Sequence, residues 1–230
     1  MVGLLRRIVG KLCHESCRAI GHFLPTKGCV YMLHDISDSQ GEFSISELEL
    51  EKFLSSTDKN KVIRLEEWEN VNNFIAITID DVPDSFYRKG FPLFKKYRVP
   101  FTIFVCTSLL DTPGFITTDQ LKEMSQSELC TVGSHGTLHE FYKGLSREGK
   151  IRFLENSKKE LSYICQRQTD LFAFPYGSIY ACGFKEKKLV SRYYKYGFGT
   201  IASKIPSKSI LPKYFLPRVN LTSEVIRQMS

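Results

Sequence analysis

The sequence contains no uninterrupted apolar run of the roughly 20 residues that a membrane-spanning helix needs. The N-terminal stretch is apolar and basic, but Arg6, Lys11 and Glu15 interrupt it, so it also lacks the apolar segment of a signal peptide. We therefore expect no export signal and a cytoplasmic protein.

Basic residues are numerous, but they form no block long enough for a nucleic-acid-binding arm. Lysine and arginine total 32 against 25 acidic residues, which gives a formal charge of +7 and a pI near 9.0. This scattered charge argues against nucleic acid as the main partner. It favours acidic glycans, lipid-linked sugar phosphates or an anionic membrane surface.

Cysteines are few and poorly spaced for crosslinking. Of the seven, only Cys13 and Cys17 lie close together, so the spacing predicts neither a disulfide framework nor a cysteine-rich zinc site. We expect reduced thiols, with Cys106 acting as a small core residue.

The composition is that of one folded domain. Hydrophobic residues make up 42% of the 230 positions, which suffices for a full-sized core, and no repeat or linker divides the chain. We predict an amphipathic helix at residues 1–27 and one domain at residues 28–230. The apolar face of the helix either packs on the domain's own core or contacts an anionic membrane surface peripherally.

Strand-like and helix-like segments alternate along the chain. The apolar run at residues 74–79 predicts a parallel strand buried on both faces. Further strands are predicted at residues 29–36, 100–105, 171–177, 197–202 and 214–221, and helices at residues 44–56, 85–99, 117–127, 146–166 and 185–197. This alternation predicts an α/β fold with a mostly parallel sheet, either open or closed as a (β/α) barrel.

Polar residues follow the carboxyl ends of predicted strands, where parallel-sheet enzymes assemble their active sites. Asp80 and Asp81 close the strand at residues 74–79, and His34 lies at the end of the first strand. Two adjacent aspartates can divide the work: one binds a metal while the other stays ionised and takes a proton from water. The alternative is an ordinary solvated turn or helix cap.

His135 and His139 are four residues apart, so two neutral imidazoles can share one cation. An aspartate would complete a site with two histidines, one carboxylate and open positions for water and a substrate oxygen. Taken alone, the pair is equally compatible with surface or core histidines.

Three segments follow one another along the chain: ITIDD, GSHGTLH and FAFPYG. In this order they resemble the motifs of the polysaccharide deacetylases with the NodB-type fold, carbohydrate esterase family 4. ITIDD at residues 77–81 is similar to the Thr-Phe-Asp-Asp motif, GSHGTLH at residues 133–139 to His-Ser/Thr-x-x-His, and FAFPYG at residues 172–177 to Arg-x-Pro-Tyr-Gly. The resemblance extends over residues 28–220.

The resemblance implies a distorted (β/α)7-type barrel in which Asp80 is the catalytic base. It implies that Asp81, His135 and His139 bind a divalent metal, most simply zinc, with cobalt or nickel as alternatives. It also implies that the backbone N–H of Tyr176 stabilises the tetrahedral intermediate.

The family's C-terminal Leu-x-His motif, which carries the general acid, is missing, because no histidine follows His139. YMLHDI at residues 31–36 resembles that motif displaced, as in the circularly permuted branch that includes poly-N-acetylglucosamine deacetylases. This makes His34 the candidate acid; its alternative is a strand-end histidine bonded to the backbone.

Two further positions depart from the motifs. Ala173 stands where the family has an arginine, and Arg218 is the candidate replacement from another strand, or else an ordinary structural arginine. Gly136 replaces the Ser/Thr after the first metal histidine, which removes a hydroxyl group beside the site.

The resemblance implies removal of N-acetyl groups from an amino sugar in a polysaccharide or lipid-linked saccharide, in capsule or cell-surface polysaccharide synthesis. Tyr176, Tyr180, Phe141 and Tyr142 are candidates to stack on a sugar ring, although aromatic residues also build cores. Two alternatives stay open: an O-acetyl esterase or other amide hydrolase with the same metal site, and a catalytically degenerate carbohydrate-binding protein.

Overall fold

The computed structural model describes residues 25–38, 43–183, 187–207 and 213–229, together with residue 16. The strands in these ranges are β1 (Thr26–Leu33), β2 (Asp35–Ile36), β3 (Ser44–Ile45), β4 (Phe74–Asp80), β5 (Phe101–Val105), β6 (Cys130–Ser134), β7 (Leu171–Ala173), β8 (Tyr196–Phe198), β9 (Ile205–Pro206) and β10 (Val219–Asn220). The helices are α1 (Glu47–Ser56), α2 (Phe91–Tyr97), α3 (Thr118–Gln126), α4 (Arg147–Cys165), α5 (Ile179–Cys182), α6 (Lys187–Val190) and α7 (Ser223–Met229).

The main sheet is parallel along the order β10-β1-β4-β5-β6-β7-β8, with β9 antiparallel to β1. No ladder joins the described strands β8 and β10. The chain before β10 nevertheless bridges to β8 through Leu216 and Phe198, and the N–H of Leu216 donates to the carbonyl of Gly197 over 2.8 Å. The sheet is therefore curled, and the predicted distorted barrel is confirmed.

The apolar strands are buried on both faces, as the run at residues 74–79 predicts. In β5, Ile103 packs in the cluster on the helix side of the sheet, whereas Phe104 faces inward with Phe198, at 5.7 Å between ring centroids. In β4, Ile77 packs in the cluster on the helix side, and Ala76 packs in the inner cluster with Phe104. Alternation of side chains along a strand explains this division.

Helix starts follow local capping chemistry. Ser46 caps α1: its Oγ accepts from the N–H of Glu49 over 3.2 Å, and the Glu49 carboxylate accepts from the N–H of Ser46 over 2.9 Å. Thr117 and Gln120 form the same capping box at α3. Such boxes satisfy N–H groups that a helix leaves without partners.

The helix predicted at residues 185–197 is wrong beyond Val190. Residues 184–186 lie outside the described ranges, and α6 ends at Val190 in a turn. Tyr196 instead opens β8 and pairs with Leu171 of β7. Sheet pairing, together with the contact of the Tyr196 hydroxyl with Glu69, overrides the local helical preference.

The predicted helix at residues 1–27 lies almost wholly outside the described residues, so its contacts with a membrane stay a prediction, as does the domain boundary. Its last two residues, Thr26 and Lys27, belong to β1. The cytoplasmic location likewise stays a prediction. Among the helices that the structure describes, none has both the length and the apolar content needed to cross a membrane.

Candidate metal centre

The structure brings Asp81, His135 and His139 together at the carboxyl ends of the strands. Asp81 follows β4, and the two histidines follow β6. One nitrogen or oxygen atom from each of the three lies within 4.8 Å of the other two. The Nε2 atoms of His135 and His139 approach the two carboxylate oxygens of Asp81 at 3.7 and 3.5 Å.

The His135 ring has a defined tautomer. Its Nδ1 lies 2.8 Å from the backbone oxygen of Ala173, and a carbonyl oxygen can only accept. Nδ1 therefore carries the hydrogen, and Nε2 presents its lone pair to Asp81. A metal-binding histidine is commonly fixed in this way through its second nitrogen.

Asp81 occupies an unusual backbone conformation. Its φ is +59°, that of Val82 is +54°, and the N–H of Val82 donates to the Asp80 carbonyl over 2.6 Å. Left-handed φ is a genuine outlier for a β-branched residue such as valine. Strain of this kind concentrates at functional sites and here sets the direction of the Asp81 carboxylate.

The residues present fit a divalent cation. Asp81 Oδ1 is buried and has no hydrogen-bond partner among the described residues. Burial lowers the pKa of His135 and His139, although Asp80 acts in the opposite direction in both, so neutral imidazoles are favoured. Burial also raises the pKa of Asp81, which a bound positive charge would offset. Two imidazole nitrogens and a carboxylate form a donor set typical of zinc and related metals.

Asp80 is held by a buried guanidinium. Arg218 is 0% exposed, and its Nη1 and Nη2 donate to Oδ1 and Oδ2 of Asp80 over 2.6 and 2.7 Å. Arg218 also donates to Thr78 Oγ1 over 3.1 Å and to the Gly199 carbonyl over 3.0 Å. Burial acts to raise the pKa of Asp80, but Arg218, together with the nearby His135 and His34, lowers that pKa to about 2.

Arg218 reaches Asp80 from the residue before β10, whereas the arginine of the family motif would come from the position of Ala173 on β7. Val219 of β10 pairs with Tyr31 of β1, so Arg218 lies at the start of the strand next to β1. In the sheet, β1 separates β10 from β4, which carries Asp80. Thr78 was not predicted as part of this cluster. Its position two residues before Asp80 is the signal, since alternate residues of a strand share a face.

His34 directly follows β1, so it lies at the carboxyl ends of the parallel strands, as Asp81 and His135 do. Its ring lies 5.0 Å from that of Phe43, and its buried Nδ1 has no hydrogen-bond partner among the described residues. Burial lowers the pKa of His34, whereas the charge of Asp80 raises it. Because Nδ1 bonds to no described backbone group, the structure does not favour the alternative that His34 is a structural histidine bonded to the backbone through this atom.

Tyr176 combines a left-handed backbone with an exposed ring. Its φ is +59°, and its backbone N–H has no acceptor among the described residues. The side chain is 51% exposed, and its ring centroid lies 4.5 Å from both His139 and Phe141. Tyr180 extends this group, 6.1 Å from Phe141.

The expectation that Tyr142 contacts sugar is wrong. Its side chain is completely buried and packs against Phe153 and Phe174. Its neighbour Phe141 is 45% exposed, because the short helical turn that starts after Phe141 directs the two rings to opposite sides.

Gly136 is required by the local backbone. Its φ is +86°, and a Cβ at this position would overlap the ring of Phe153. The hydroxyl that a Ser/Thr would supply is therefore excluded on steric grounds. Ser134, on the other side of His135, supplies one instead: its Oγ accepts from the N–H of Gly136 over 3.0 Å.

The chain is similar to known deacetylases. The polysaccharide deacetylase family model matches residues 69–197. The poly-beta-1,6-N-acetyl-D-glucosamine N-deacetylase of Staphylococcus aureus (strain MSSA476) is 25% identical over 223 residues, covering 85% of this chain and 71% of the relative.

Solved structures show the same fold. A polysaccharide deacetylase from Bacillus cereus superposes with a TM-score of 0.77 at 22% identity, over 88% of this chain and 68% of that one. IcaB from Ammonifex degensii superposes with a TM-score of 0.71 at 23% identity, over 89% of this chain and 96% of that one. The family match covers more than half of the sequence, and the chain therefore belongs to the polysaccharide deacetylase family.

Proposed function

We propose that this protein is a metal-dependent hydrolase that removes N-acetyl groups from an amino sugar within a glycan. The observation that carries the proposal is the convergence of Asp81, His135 and His139 next to the buried Asp80–Arg218 pair. The S. aureus relative is named for poly-β-1,6-N-acetylglucosamine, which makes this polymer the first substrate to test.

Asp81, His135 and His139 would hold the metal. Their two nitrogens and one carboxylate favour zinc, with cobalt and nickel as alternatives, and leave positions for water and the acetyl oxygen. When bound, the divalent ion would lower the pKa of water and polarise the acetyl carbonyl.

Asp80 is the proposed general base. Both of its oxygens accept from Arg218, so its orientation is fixed, while each oxygen keeps a further lone pair. Its Oδ2 lies 4.0 Å from His135 Nε2, which places it next to the metal ligands. Asp80 takes a proton from the water whose oxygen attacks the acetyl carbon. Arg218 keeps the carboxylate in place.

His34 and Tyr176 are proposed to act on the other atoms of the amide. The backbone N–H of Tyr176, which has no acceptor among the described residues, stabilises the negative oxygen of the tetrahedral intermediate. As the C–N bond breaks, His34 gives a proton to the amine. Burial favours a neutral His34 ring, so the ring takes up a proton from solvent before it donates, and Asp80 releases its proton to solvent afterwards. The products are acetate and a free amino sugar.

Three aromatic rings beside the metal ligands, of which Tyr176 and Phe141 are about half exposed, are the proposed sugar contacts. Tyr176 packs on His139, and Phe141 and Tyr180 continue outward from it. Aromatic faces suit the apolar faces of a pyranose ring, and half-exposed rings leave that area accessible.

The test measures bound metal and acetate release in the same preparations, with oligomers of β-1,6-linked N-acetylglucosamine as substrate. Wild type should bind metal and release acetate. Asp80→Asn should keep the metal and lose acetate release, whereas His135→Ala should lose both. Asp119→Asn is the matched control, because this aspartate is exposed and its ion pair among the described residues is with Lys122 on α3.

Each other outcome has a distinct meaning. Acetate release by Asp80→Asn at the wild-type rate would overturn the role of Asp80. Metal binding with release only from O-acetylated sugars would identify an esterase. Glycan binding without metal or acetate would identify a carbohydrate-binding protein that has lost its catalytic activity.

A further inference from the structure

Two buried hydroxyl groups, those of Ser134 and Ser157, form a hydrogen-bonded chain next to the candidate ligand His135, and the buried Tyr194 hydroxyl contacts it. Ser134 ends β6, Ser157 lies within α4, and Tyr194 follows α6. Ser134 Oγ donates to Ser157 Oγ over 2.9 Å, and Ser157 Oγ lies 3.1 Å from Tyr194 Oη. Burial removes these groups from water, so each depends on an internal partner.

The direction of this hydroxyl chain follows from one hydrogen per hydroxyl. Ser157 donates to the Phe153 carbonyl over 2.8 Å, and Tyr194 donates to another carbonyl of α4 over 2.9 Å. Ser157 Oγ therefore accepts the hydrogen of Ser134. Ser134 Oγ keeps its lone pairs for the N–H of Gly136, 3.0 Å away.

The hydroxyl chain ends on the backbone next to the metal ligand. Phe153 and Ser157 lie four residues apart on one face of α4. The Phe153 ring occupies the space beside Gly136, while Ser157 acts through Ser134. On the other side, the N–H of His135 donates to the Val105 carbonyl over 2.8 Å. Helix α4 thus restrains the segment that carries His135.

We propose that Ser134 and Ser157 are positioning residues that hold His135 so that its Nε2 points at Asp81. The proposal rests on the metal centre of the proposed function. Both serines act through His135, since their hydroxyl groups bond to each other and to the backbone. Loss of a group that orients a metal-binding histidine typically lowers metal affinity about 10- to 100-fold.

The experiment titrates metal-free protein with Co²⁺ and follows the visible absorption of the bound ion, which reports affinity and ligand geometry together. Ser134→Ala and Ser157→Ala should each bind Co²⁺ about 10-fold more weakly or worse, with an altered spectrum. Ser134→Thr keeps a hydroxyl group and should restore most of the affinity.

Ser125→Ala is the matched control. Ser125 is also a buried helical serine, and its hydroxyl donates to a backbone carbonyl, that of Lys122, over 2.7 Å. It lies beside Cys130, at the opposite end of β6 from His135. This variant should lose stability to a similar extent while its Co²⁺ affinity and spectrum stay unchanged.

Wild-type affinity and spectrum in Ser134→Ala would overturn the proposal and leave the hydroxyl groups with a role in stability alone. Absence of Co²⁺ binding by wild type would remove the metal centre and, with it, this inference. If wild type binds Co²⁺ but releases no acetate, the proposed function fails, while the affinity comparison still decides the role of Ser134.

Discussion

Replacing Arg218 by methionine is expected to destabilise the fold by about 3–5 kcal/mol, the usual cost of leaving one member of a buried ion pair without its partner. Arg218 is fully buried and donates four hydrogen bonds to residues that the structure describes, two of them to Asp80. Methionine fills much of the space but leaves the Asp80 carboxylate without its cation. The free energy of unfolding of a domain is only about 5–15 kcal/mol, so the expected loss is a large share of it.

Urea unfolding in the presence of a chelator measures this loss without a contribution from bound metal. Trp68 is the only tryptophan, and it is buried 5.5 Å from the Tyr196 ring, so its fluorescence reports unfolding. Lys122→Met is the control, because this exposed lysine pairs with a surface aspartate, and such pairs contribute at most about 1 kcal/mol. Removing both charges, in Asp80→Asn/Arg218→Met, should recover much of the stability.

The loss should also depend on pH. In wild type, Arg218 and the nearby His135 and His34 hold the pKa of Asp80 at about 2, below its ordinary value of 3.8, so this stabilisation is present above pH 3.8 and is lost as the pH falls toward 2. Without Arg218, burial raises the folded-state pKa, and the variant loses stability as the pH rises. The variant should therefore differ more from wild type at neutral than at acidic pH. A loss below about 1 kcal/mol, or no recovery in the double variant, would refute this reasoning.

Three further predictions concern backbone conformation and capping. Tyr176→Asn should unfold at the same or a higher temperature but release acetate more slowly, because asparagine tolerates φ of +59° better than tyrosine and removes the exposed ring. Gly136→Ala should lose about 1–3 kcal/mol in urea unfolding and bind metal more weakly in titration; wild-type behaviour would contradict the steric argument. Ser46→Ala should lower the free energy of unfolding by about 1 kcal/mol, whereas Ser55→Ala, at an exposed serine of the same helix, should not. The backbone N–H of Ser46 lowers the pKa of Glu49 in the folded protein. The stabilisation that this hydrogen bond provides should therefore be lost as the pH falls through the folded-state pKa of Glu49, which an acid titration of unfolding measures.

Local sequence was sufficient where one feature dominated. The run at residues 74–79 is too apolar for any exposed element, so both β4 and the position of Asp80 and Asp81 at its carboxyl end could be predicted. The helices α1 and α3 could be predicted as well, at residues 44–56 and 117–127, because their capping residues are neighbours in sequence. The predicted start of the first was three residues early, since Ser44 lies in β3 and α1 begins at Glu47.

Contacts between distant residues could not be derived with the same certainty. Asp80 and Arg218 are 138 residues apart, and only the curled sheet brings them together, so sequence alone left a structural arginine as an alternative. The need for glycine at position 136 arises from the Phe153 ring, which belongs to another element. Phe141 and Tyr142 differ in exposure because of a turn whose direction periodicity does not reveal.

In the proposed function, acetate release depends on a metal held by Asp81, His135 and His139. Its most direct test measures acetate release from β-1,6-linked N-acetylglucosamine oligomers by wild type, after chelation and again after one equivalent of Zn²⁺ is returned. We expect no release from the metal-free protein and recovery with Zn²⁺. Release that is unaffected by removal of the metal would show that the reaction does not depend on a metal at this site.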